Sequence, residues 1–143
     1  MNNAQKFSLL FLRVTLGWMF FYAGITKVLD SSWSAVGYIG GAKNFVSLFQ
    51  FFLQPNILPI INFLNEWGLT LIGVALILGV FVRMASYAGI FMMIMYYLVI
   101  LDFPYPNAHA YLVDEHIIYI GSLLVLAFSN AGKFWGLGNR FGR

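Results

Sequence analysis

Asp114, Glu115 and His116 stand side by side at the head of an apolar run, "DEHIIYIGSLLVLAFSN", and Glu66 stands inside another. Carboxylates and an imidazole placed like this can accept and return protons near neutral pH. Lys27 ends the apolar stretch that also carries Arg13, and adds a cation able to attract an oxyanion. Ionisable groups within apolar runs are costly and normally face a bundle interior with a partner. The chemistry these residues point to is proton exchange at a polar pocket set in a hydrophobic protein.

Composition says what must hold them. Of 143 residues, 61% are hydrophobic and 9% are charged, whereas a soluble domain carries about 25% charged residues. So little polar surface cannot cover a water-soluble fold, and one integral membrane domain, residues 1–143, is expected. The absence of cysteine excludes disulfides, thiol redox chemistry and Cys-ligated metal centres. The formal charge of +3 comes from scattered basic residues and is no nucleic-acid signal. The first apolar run is too long for a signal peptide and lacks a small-x-small cleavage site, so it reads as a retained anchor. Met92, Met93 and Met95 read as packing residues, and neither a flavin nor an NAD fingerprint is present.

A spanning helix needs roughly 20 apolar residues. Four stretches are expected to span, at about 7–29, 59–82, 84–101 and 112–130, giving an all-α four-helix membrane bundle. The aromatic-rich segment between the first two contains Gly40-Gly41, Lys43, Asn44 and Gln50. It reads as an extra interfacial or re-entrant helix rather than a fifth span. Only Arg83 separates the second and third stretches, which implies a tight antiparallel hairpin. In the fourth, about a dozen apolar residues follow His116 and cover only about 18 Å. Either Asp114–His116 enter the outer leaflet, or the helix continues past Asn130 through "AGKFW".

Four spans place both termini on one side, with Lys6, Arg83, Lys133, Arg140 and Arg143, and with Arg13 one or two turns in. That basic excess marks the side as cytoplasmic and the protein as a multi-pass plasma-membrane protein. Asp30, Glu66, Asp102, Asp114, Glu115 and both histidines then fall toward the outer side.

Arg13, Gly17, Phe20, Gly24 and Lys27 recur at spacings of four and three, so they share a face of the first helix. The glycines allow a neighbouring helix to approach closely. Glu66, Thr70 and Gly73 share a face of the second helix, and His116 and Tyr119 one of the fourth. An outward-opening pocket containing Lys27, Glu66 and His116 is expected, with Asp114 or Glu115 near its mouth. Its competing readings are a snorkelling Lys27 and an Asp114 that merely caps a helix.

"LRVTLGWMFFYAGITKVLD", the triplet Glu66-Trp67-Gly68, "LGVFVR" and "DEHIIY...NAGKFWGL" together resemble the DoxX/DoxD family of small four-span membrane proteins. The resemblance maps the family's helix-one Arg and Lys to Arg13 and Lys27, and its helix-two Glu and terminal Arg to Glu66 and Arg83. Gly138 stands where an Asp often follows in DoxD-type endings. DoxD-like members are associated with thiosulfate:quinone oxidoreductase, which joins two thiosulfates into tetrathionate and passes two electrons to a quinone. On that resemblance Glu66 and His116 are the expected catalytic groups and Lys27, Arg13 and Asp114 the substrate-binding ones. Tyr119 and Trp67 are expected against a membrane quinone, the implied electron acceptor. The bilayer, an extracytoplasmic redox subunit and a second copy of the chain are candidate partners. The alternative function is a non-catalytic membrane subunit or binding protein of a respiratory or redox-stress complex.

Overall fold

A computed structural model describes residues 1–138; Arg140 and Arg143, assigned above to the cytoplasmic side, lie outside the described residues. Among those residues the chain is helical, with isolated bridges but no strand. Three helices are long and apolar enough to cross a membrane: α1 (Asn3–Leu29), then, after two short helices, α4 (Leu58–Leu78) and α5 (Val82–Ile100). The short ones are α2 (Val36–Ile39) and α3 (Val46–Phe52), and the last long element is α6 (Glu115–Phe128).

The helix ends follow from local chemistry. Asn2 and Gln5 form a reciprocal capping box that starts α1 four residues before its apolar run. Gly79, at φ 71°, ends α4 in the left-handed conformation that glycine adopts without penalty. Asp114 accepts a hydrogen bond from the His116 N–H and starts α6. At its far end α6 stops at Phe128; Asn130 turns left-handed, at φ 53°, into the 3-10 turn Ala131–Lys133. The segment "AGKFW" therefore does not continue α6 but begins a separate 3-10 turn. With 14 residues α6 is about 21 Å long, shorter than a hydrocarbon core of roughly 30 Å.

The expected lone interfacial helix is two short ones, broken after Ile39. They fold back against α4 and α5 through a small core of Ala35, Ile39, Phe49 and Val99. Ala35 N–H bonds the Asn62 side chain, Asn44 bonds the Leu101 carbonyl, and Lys43 pairs with Asp102. These tie the segment into a cap over one end of the bundle.

α1 packs along α4, α5 packs along α6, and α4 joins the two pairs. The α1–α4 seam depends on glycine. A Cβ added at Gly73 would sit 2.3 Å from the Phe21 nitrogen, and one at Gly24 2.3 Å from that of Thr70. Leu16, Phe20, Leu69, Ile72, Leu76, Leu123 and Leu126 fill the centre. Outward, α1 presents Phe7, Phe11, Trp18 and Tyr22, while Arg13 and Gly17 are buried. Aromatic rings outside and a charge inside invert the order of a water-soluble protein, as a lipid surround requires.

Candidate functional site

Arg13 and Lys27 share a face of α1 but are 14 residues apart, about 21 Å along its axis. They do different work. Arg13 is 1% exposed. Its Nη1 donates to the carbonyls of Ala131 (2.7 Å) and Phe134 (3.2 Å), and its Nη2 to that of Trp135 (3.1 Å). Gly138 N–H reaches the Gly79 carbonyl at 3.2 Å, so the C-terminal segment closes over the α4–α5 turn. Arg13 thus lies far from Lys27 and braces the C-terminal segment through three carbonyls of its own chain. Beside it, Arg83 Nε donates to the Ala127 carbonyl near the end of α6 (3.2 Å), where orphaned carbonyls favour a cation.

At the opposite end lies a cavity of about 970 Å³ between α1, α4 and α5, under the α2–α3 cap. Its walls are Trp33, Phe49, Phe52, Ile61, Ile72, Met92 and their neighbours, and its polar groups are Lys27, Tyr38, Asn65, Tyr96 and His116. Lys27 Nζ donates to the Ala23 carbonyl at 2.6 Å and sits 5.4 Å from the centre of the Trp33 ring. Tyr96 donates to the Asn65 side-chain oxygen, and the Asn65 amide to the Ile61 carbonyl at 2.8 Å. The Tyr38 hydroxyl meets the Tyr96 carbonyl at 3.5 Å. Burial, and then the charges of Asp114 and Glu115, push the Tyr38 phenol up to about 12, so it stays a neutral donor.

His116 lies between Tyr96 and Tyr119, with ring centres at 6.3 and 6.4 Å. Its Nδ1 is 2.7 Å from Asp114 Oδ2, and Asp114 Oδ1 accepts from the His116 backbone at 3.0 Å. An ionised carboxylate only accepts, so the ring proton belongs on Nδ1 and Nε2 is left unclaimed. Ligand atoms of Asp114, Glu115 and His116 lie within 4.8 Å of one another, close enough for a metal ion. Both Asp114 oxygens, however, are already committed to His116. Asp114 therefore caps α6 and orients His116.

Lys27 and His116 thus reach one cavity, as expected, but Glu66 is absent from its lining. Residues Leu64–Gly68 form a π turn within α4, and this wide turn presents Asn65 and Gly68 to the cavity. Glu66 is half-buried; its backbone carbonyl accepts from Thr70 at 2.6 Å, next to Gly24. The ion pairs among the described residues, Lys43–Asp102 and Asp114–His116, do not include it. Trp67 is 40% exposed, and neither it nor Tyr119 lines the cavity. Asn65, Tyr38, Tyr96 and Trp33 do, and were missed. Asn65 was the detectable one, a second polar residue beside Glu66 in an apolar run.

Apolar helices with outward aromatics, enclosing a largely apolar cavity with a few polar groups, define a helical membrane protein. The DoxX family profile matches residues 8–102, well over half of the chain, and the chain belongs to that family. The match ends before α6, so Asp114 and His116 lie beyond it. No curated protein and no solved structure matches the chain.

Proposed function

We propose that the cavity binds a membrane quinone and that the protein serves an oxidoreductase of the thiosulfate:quinone type. One observation carries the quinone reading: an aromatic and aliphatic cavity whose polar groups, Lys27, Tyr38, Asn65, Tyr96 and His116, gather toward its capped end. A flat ring bearing two carbonyl oxygens needs apolar walls and a few donors. Two of the three Lys27 ammonium hydrogens remain after the bond to Ala23. A bound quinone takes up two electrons and two protons, while two thiosulfates release two electrons as they join into tetrathionate. In this reading His116 Nε2 takes up a proton from the aqueous edge, which charges the ring, and then passes it to the quinone oxygen. Asp114 holds the ring in the tautomer that makes this possible and stabilises it when charged.

The outer loops carry Asp30, Asp102, Asp114 and Glu115 against Lys43, an unfavourable field for a thiosulfate dianion. Electrons are therefore proposed to arrive through an extracytoplasmic redox subunit, with this chain as the quinone-binding member. All four long helices cross the bilayer in this scheme, with both termini cytoplasmic. A C-terminal reporter active only after export would overturn that orientation.

The test is extraction of the purified protein and mass spectrometry of what is released. Near-stoichiometric quinone in the wild type, reduced in a His116→Ala/Lys27→Ala double variant, is the expected result. A protein that carries no quinone and binds none on addition would sink the proposal. Quinone binding without thiosulfate-dependent turnover by the isolated chain would identify a subunit rather than a complete enzyme.

A further inference from the structure

The cavity has one end closed by protein and another that reaches the flank of the bundle. At the closed end Ala35, Ile39 and Phe49 are buried beneath the cap, each less than a tenth exposed. At the other end the lining residues are also surface residues: Leu71 on α4 is 61% exposed and Phe91 on α5 is 63% exposed. Leu71 lies seven residues before the end of α4, about 10 Å in, and Phe91 lies midway along α5. At that depth, between two helices able to span a membrane, the surroundings are hydrocarbon.

Helix spacing points the same way. On the α1–α4 seam an added Cβ collides with backbone at 2.3 Å at both Gly24 and Gly73. At Gly68, facing α5, the nearest atom to an added Cβ is Met92 Sδ at 3.6 Å. α4 meets α1 backbone to backbone, whereas at Gly68 it meets α5 through the flexible Met92 side chain.

We propose that the cavity is loaded sideways from the bilayer, through a portal between α4 and α5 framed by Gly68, Leu71 and Phe91, and therefore selects ligands that carry a hydrocarbon tail. The tail lies in the portal and extends into lipid while the head reaches Lys27 and His116. This rests on the quinone reading for the identity of the head, but the portal is defined by the fold alone. A tail left in hydrocarbon loses no solvation on binding, whereas a head with no tail must first leave water. The tail thus acts by holding the ligand in the phase that the portal opens to.

Two measurements on the full chain in lipid nanodiscs separate the portal from the ligand. The chain has no cysteine, so Ala88→Cys, on the lining, accepts a single nitroxide. Relaxation of that nitroxide by oxygen and not by a water-soluble nickel chelate is expected, and the reverse would overturn the portal. The second measurement compares a dimethoxy-methyl-benzoquinone with and without a diprenyl tail. Gly68→Leu, whose Cβ would touch the flexible Met92 side chain, and Leu71→Trp, at an exposed position, each narrow the mouth and should slow binding of the tailed quinone at least tenfold. Binding of the tail-less head should change less than twofold. Equal losses for both probes, or none in either variant, would overturn the inference. If neither probe binds the wild type, the quinone reading fails, and the nitroxide result alone decides whether the portal exists.

Discussion

His116 Nδ1 and Asp114 Oδ2 meet at 2.7 Å, two residues apart, at the first turn of α6. Asn at position 114 keeps an N-cap oxygen but offers Nδ1 a donor where the carboxylate accepted. Asp114→Asn should therefore cost less than about 1 kcal/mol, since Asn and Asp cap comparably. It should nevertheless move the ring proton to Nε2, visible in imidazole nitrogen chemical shifts. Asp114→Ala should also lose the cap, about 0.5–2 kcal/mol. His116→Ala strands the buried Asp114 Oδ2 and should cost about 1–3 kcal/mol, while also depressing the proposed quinone reduction. An unchanged tautomer in Asp114→Asn would remove Asp114 from the positioning role.

The α1–α4 seam predicts a sharp contrast among glycines. Gly24→Ala and Gly73→Ala place a methyl 2.3 Å from backbone nitrogen and must push the helices apart. Overpacking of this kind costs about 1–3 kcal/mol, or more where backbone blocks relaxation. At Gly121 nothing lies within 4 Å of an added Cβ. Gly121→Ala should be neutral or stabilising, by up to about 1 kcal/mol from helix propensity. Thermal unfolding of the three variants in one detergent checks the ranking.

Glu66→Gln should be mild. A buried Glu66–Lys27 pair would make that substitution cost several kcal/mol, because it strands a cation. Lys27 instead rests on the Ala23 carbonyl and the Trp33 ring. Loss of stability should stay within about 0.5 kcal/mol, as for a side chain outside any network. A drop beyond 2 kcal/mol in chemical denaturation would restore the pair.

Tyr38 should make the cap sensitive to alkali. Its phenol is held at about 12 when folded, against about 10 for a free tyrosine. Between those values the unfolded chain has released this proton and the folded one has kept it, so stability falls as pH rises from about 10 to 12. Below pH 10 both states hold the proton and the contribution is constant. Absorbance near 295 nm should show a late tyrosine step in the wild type that is missing from Tyr38→Phe.

The spanning helices were legible because lipid demands long uninterrupted apolar runs, and α1, α4 and α5 fall within a few residues of the expected limits. Asp114 was legible as a cap because capping is local. Glu66 misled because one polar residue in an apolar helix invites a buried partner, while the π turn that presents Asn65 leaves little mark on periodicity. Tyr38 and Trp33 reach the cavity only once the cap folds back, and Arg13 finds its acceptors 118 and more residues later. Contacts at that separation leave no local pattern.

That separation orders events during synthesis. Arg13 enters the membrane with the first helix, and the carbonyls of Ala131, Phe134 and Trp135 are made only after every other long helix has emerged. Until then the guanidinium lacks these acceptors. A chain that stops short of Ala131 would keep its long helices but leave Arg13 without these three acceptors.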